Sequence, residues 1–154
     1  GIGTKFKSYR LKSEKIGYLK SMKTSSVEIA FKLESIRKNG IQFDELFGAG
    51  AKYSMGEENI FLFRCLKKKL KIVYVPIKIA DLNIGNSTWF NGYNKEYFIS
   101  RGAVFTNMSK IFSLLFITQF AIRKYKLYKK DLTITQALKY MLKGRRQYLN
   151  EVVL

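Results

Sequence analysis

A helical apolar pattern that runs straight into an apolar strand pattern constrains this chain more than any other feature. From Glu57 to Lys68, Phe61 with Cys65 and Leu62 with Leu66 and Leu70 recur at four-residue spacing, one face of an amphipathic helix. Gly56 stands where a cap belongs, and Lys67, Lys68 and Lys69 crowd the last turn, where cations suit the helix dipole. KIVYVPIKIA follows at residues 71–80, expected as a buried strand with the single proline, Pro76, at a bulge or edge. A helix delivered directly into a strand is the rhythm of an α/β sheet.

The flanks extend this outline. The segment Lys5 to Lys23 reads as a basic loop with scattered aromatics. In SSVEIAFKLESIRKNG, Val27, Ile29, Phe31 and Leu33 alternate with other residues, the period of a half-buried strand. Glu34–Lys38 then reads as a short helix stopped by Asn39-Gly40. IQFDELFGAG is a loop anchored by Ile41, Phe43 and Phe47, with Gly48 and Gly50 for tight turns. After residue 84 the turn-rich NIGNSTWFNGYN leads into a long apolar and aromatic helical stretch over 97–128. Thr133 and Gln136 form a capping-box pattern opening a last helix to about Asn150, with Gly144 expected to weaken it locally.

The length of 154 residues suits one domain with its own core. With no His and a single Cys, the composition excludes a His-based triad, a zinc site of the usual kind and an internal disulfide. Cys65 is expected as a core filler in a reducing compartment. The chain opens on Gly rather than Met, which fits a piece of a longer protein, and no charged-then-apolar leader of a secretory signal is visible in it. The net charge is +18, unevenly spread. Residues 1–38 carry ten bases against three acids and residues 85–154 twelve against three, while residues 39–84 carry seven against five. Basic flanks around a nearly neutral centre point to a polyanionic neighbour outside and acid chemistry inside.

That centre contains GEEN, with Glu57 and Glu58 at a helix start. Acids in a first turn gain about 0.3–1 kcal/mol from the dipole in any helix, so the pair alone is compatible with a plain helix start or with a catalytic base. Its surroundings carry a resemblance. The segment from SSVEIAFKLESIRKNG through FDELFGAG and GEEN to KIVYVPIKIA, about residues 25–80, resembles the C-terminal half of a family 2 glycosyltransferase of the GT-A fold, of the kind found in bacterial polysaccharide assembly. Residues 97–128 and 133–150 resemble the basic tail of such proteins less specifically.

The resemblance implies an α/β fold, the acceptor-side half of a GT-A domain over 1–84, followed by a helical basic tail over 85–154. It implies transfer of a sugar from a nucleotide-sugar donor to a glycan or lipid-linked acceptor with inversion, at the inner face of the cell membrane or in the cytoplasm. One carboxylate then removes the acceptor hydroxyl's proton, and residue-by-residue matching puts that base at Glu58, where the family often has Asp. Glu57 becomes its neighbour, and Asp44 and Glu45 fall on the acceptor side. The departing diphosphate is expected to need a divalent metal, Mg or Mn. The family's metal-binding Asp-x-Asp has no counterpart in this sequence, and ADLNIGNSTWF lacks the His often found there, so the metal's ligands are expected outside this chain.

Three further features keep two readings each. Trp89 suits stacking on an acceptor sugar, or closes the core under a loop. Lys110 to Arg123 brackets twelve mostly apolar residues, against the roughly 20 a spanning helix needs. This stretch lies in an anionic membrane surface, with Tyr125 and Tyr128 at the boundary, or packs against protein. Interleaved bases and aromatics also allow a non-catalytic basic module gripping single-stranded nucleic acid, though no recognised nucleic-acid motif accompanies them.

Overall fold

A computed structural model describes residues 8–79 and 90–153. Its helices stop where the backbone finds partners. Helix α2 (Leu33–Lys38) ends at Asn39-Gly40 as expected: Gly40 takes φ +61, its N–H donates to Arg37 O, and Ile41 N–H reaches Ile36 O at 3.1 Å. Helix α3 (Glu57–Lys67) closes by the same pair of bonds without a glycine. Lys69 sits at φ +60, its N–H donates to Leu66 O, and Leu70 N–H donates to Cys65 O at 3.0 Å. Ile36, Ile41, Phe61, Leu62 and Cys65 form one buried cluster, so Cys65 is a core filler, and burial raises its thiol pKa.

The expected strand over Val27–Leu33 is absent. Ser26–Glu28 is a 3₁₀ turn, and Ser25 N–H donates to Glu28 Oε2 at 2.8 Å. The Ser-x-x-Glu spacing of a capping box won over the two-residue alternation. Residues 29–32 continue without a strand partner.

KIVYVPIKIA also departs from expectation. Among its described residues the strand is Val73–Tyr74 (β2) alone, antiparallel to Glu14–Lys15 (β1), in the register Glu14 to Tyr74 and Lys15 to Val73. Val75, Ile77 and Ile79 stand exposed rather than buried, Ile77 at 69 %. A two-residue ladder covers neither face of a strand, and no further strand lies beside it among the described residues. The segment expected as a basic loop supplies β1 and the one-turn helix α1 (Tyr18–Ser21). The described chain is therefore mixed but mostly helical, with one two-stranded sheet in place of the expected α/β sheet.

The 97–128 stretch divides into α4 (Lys95–Met108), α5 (Ser113–Arg123) and the single turn α6 (Tyr125–Tyr128). Asn94 Oδ1 accepts the Tyr97 N–H and starts α4. The last helix, α7 (Ile134–Glu151), opens on the expected box: Thr133 N–H donates to Gln136 Oε1, and Gln136 N–H donates to Thr133 Oγ1. α4 and α7 cross at backbone contact. A Cβ placed on Gly102 would lie 2.0 Å from Met141 O, and one on Gly144 would lie 1.9 Å from Ile99 O. Gly144, expected as a weak point, is what lets the helices meet. The main core runs from Phe47, Tyr53, Ile60 and Phe63 to Phe98, Val104, Ile117 and Met141, drawing on residues before and after position 84 alike.

Candidate acid–base site

The first turn of α3 is fixed by a glycine that nothing else can replace. Gly56 takes φ +90, and a Cβ there would lie 2.4 Å from Val104 Cγ2 on α4. The start of α3 is thereby pressed onto α4, and Glu57 and Glu58 emerge beside that contact. The Glu57 carboxyl lies over Gly48 of the FGAG loop, with both oxygens 3.5 Å from where a Cβ would be. Glu58, next to it at the start of α3, is half-buried.

This setting raises the Glu58 pKa above the ordinary carboxylate value, principally because burial penalises its charged form. Its own backbone N–H at the helix start pulls the other way, the Glu57 charge and hydrogen bond push it further up, and the Arg101 charge draws it back. A helix start by itself would lower it; burial outweighs that effect here. Arg101, on α4, is held by aromatics: its guanidinium lies 5.2 Å from the Tyr97 ring centre and 5.4 Å from that of Phe120, and it donates to Tyr97 Oη at 3.1 Å. Tyr93 joins this group, its phenol pKa raised by burial and by Tyr97 and lowered by Arg101. Sequence reasoning missed Arg101. The one available signal was its standing as the sole charge between Glu96 and Lys110.

Asp44 does not join the pair. Its Oδ1 accepts the Leu46 N–H at 3.2 Å, and its Oδ2 accepts from Arg64 at 2.6 Å and from Asn107 at 2.8 Å. Both oxygens are engaged, so Asp44 ties the loop to α3 and α4 rather than presenting a free carboxylate to an acceptor. Asp44→Ala should accordingly cost about 2 kcal/mol of stability, for the lost charge-assisted bonds and the stranded Arg64. Urea unfolding checks this, and Asp44→Asn should lose less. Glu45 is exposed, and Trp89 lies outside the described residues.

The other side of the loop is clamped by α7 and α4. Tyr53 donates to Glu151 Oε1 at 3.0 Å, Lys52 pairs with the same carboxylate, and the Tyr148 ring meets those of Phe47 and Tyr53. Ser54 N–H donates to Ser100 Oγ at 3.3 Å. Burial first, and then the Glu151 bond, raises the Tyr53 pKa, so this clamp stays neutral at the phenol.

A divalent metal does not fit the residues in view. Among the described residues no three His, Cys, Asp or Glu side chains converge, and Asp44 is already taken by Arg64 and Asn107.

The raised Glu58 pKa fixes the sign of one pH effect. Between the unfolded and folded pKa values the folded state holds more protons, so stability falls as pH rises through that window. Glu58→Gln removes the titration. The variant should therefore gain stability relative to the parent as pH rises through the carboxylate range, and the difference should level off above the folded pKa. Thermal unfolding of both proteins across mildly acidic to neutral pH reads this directly.

Comparison with protein-family models, curated proteins and solved structures gives no match to this chain.

Proposed function

We propose that this chain is the acceptor-side part of a glycosyltransferase similar to family 2 of the GT-A fold. It would move a sugar from a nucleoside-diphosphate donor to a glycan or lipid-linked acceptor, with inversion, on the cytoplasmic side of a membrane. The observation that carries the proposal is Glu58 itself: a half-buried carboxyl at the start of α3, its pKa raised by burial and by the neighbouring Glu57 and held back by the charge of Arg101. A base works best when its pKa approaches the working pH, and a carboxyl at an ordinary solvated helix start is a poorer one.

In this scheme the acceptor oxygen attacks the anomeric carbon as its proton passes to Glu58. A new carbon–oxygen bond forms while the bond to the diphosphate breaks, and the diphosphate leaves with the electron pair. Glu57 orients Glu58 and raises its basicity; Arg101 stabilises the anion between turnovers. Countercharge for the diphosphate comes from groups other than the described residues. The exposed apolar residues Val75, Ile77 and Ile79, which follow β2, offer a face against which the nucleotide-binding half would be set.

The test is a transfer assay on the full-length protein that carries this chain, using a panel of nucleotide sugars with glycan and lipid-linked acceptors. Acceptor-dependent release of nucleoside diphosphate, with an inverted linkage in the product, is the expected result. Release no greater than that of the Glu58→Gln variant across the panel would overturn the proposal and favour a non-catalytic binding module.

A further inference from the structure

We infer that the outer face of α5, with the turn before it and α6 after it, seats the protein on an anionic membrane surface. Ser113, Ile117 and Ala121 form the buried stripe of α5. The opposite stripe is apolar except for the exposed, uncharged Thr118 and Gln119: Leu115 is 63 % exposed and Ile122 62 %, and Ile111 just before the helix is 84 % exposed. Phe112, Leu114 and Leu127 are exposed as well. Charge is confined to the two ends of this strip. Lys110 stands at one end, and Arg123, Lys124, Lys126, Lys129 and Lys130 stand at the other, with no acid between Lys110 and Lys130.

An apolar strip with a basic collar matches the boundary between acyl chains and anionic headgroups. The 11-residue α5 is about 16 Å long, roughly half a bilayer core. No helix among the described residues is long and apolar enough to cross a membrane. The geometry therefore suits a helix lying in the plane of the surface. Other occupants fit less well. A second copy docked on the same strip would set positive collars against each other whichever way it ran. Single-stranded nucleic acid would satisfy the bases but would leave Leu115 and Ile122, which offer no ring for a base to stack on, in water.

The inference stands on this face alone and does not require sugar transfer. It is tested by flotation of the 154-residue chain with phosphatidylcholine vesicles that contain about one third phosphatidylserine, or none. The anionic vesicles should bind at least about tenfold more tightly, with the gap narrowing as salt rises. The double variant L115S/I122S, altered only at exposed positions, should lose about tenfold or more of that binding with its circular dichroism and melting unchanged. K126E/K129E should lose the preference for anionic lipid. Equal binding to both vesicle types would overturn the inference. Undiminished binding by L115S/I122S, together with displacement by single-stranded DNA, would overturn it in favour of nucleic acid. A dimer in lipid-free sedimentation that L115S/I122S dissolves would overturn it in favour of a second copy.

Discussion

Glu58→Gln in the full-length protein should lower sugar-transfer turnover by about 10²–10⁴-fold, the range that a positioned general base contributes. Donor affinity should stay nearly unchanged, because the proposed role begins only when the acceptor hydroxyl loses its proton. The loss thus belongs in kcat as well as kcat/KM. Glu57→Gln should do less: it removes the neighbouring charge that helps raise Glu58 and leaves the base in place. Turnover by Glu58→Gln within about tenfold of the parent would be too small a change for a general base.

The second large effect is on stability. Gly102→Ala or Gly144→Ala should destabilise the chain by at least about 3 kcal/mol, at or beyond the upper end of ordinary overpacking. In each case the new methyl meets a backbone carbonyl of the facing helix, Met141 O or Ile99 O, at about 2 Å, and a carbonyl within a helix cannot rotate aside as a side chain can. The melting temperature should fall by roughly 6–12 °C for a chain of this size. The double variant should cost less than the two single costs combined, since α4 and α7 once forced apart have room for both methyls. Alanine ordinarily favours a helix over glycine by about 1 kcal/mol, so a stabilising result would mean that the helices do not cross this closely.

Features with a local cause were legible in the sequence. The capping box at Thr133 and Gln136 and the stop at Asn39-Gly40 each depend on residues within five positions and form where expected, and α3 starts at Gly56 as expected. Features set by distant partners were not legible. KIVYVPIKIA has the composition of a buried strand, but burial requires neighbours on both faces, and the pattern cannot say whether they are there. Gly144 looks like a defect until α4 is laid across it. The site divides in the same way. The sequence singled out Glu57 and Glu58, and the resemblance put Asp44 on the acceptor side. Arg64 and Asn107, 20 and 63 residues from Asp44, take up that carboxylate instead. Arg101 lies 43 residues from Glu58 along the chain, so only the packing of α4 against the start of α3 reveals it.

The central claim is that burial and Glu57 lift the Glu58 carboxyl while Arg101 restrains it. Carbon-detected NMR titration of the glutamate carboxyls measures this on the chain as it stands. Glu58 should titrate above the ordinary glutamate value of about 4.3. Its midpoint should move down in Glu57→Gln, which removes a like charge, and up in Arg101→Gln, which removes an opposite one. A Glu58 that titrates at or below the ordinary value, and that neither substitution moves, would contradict the account and leave the pair as an ordinary helix start.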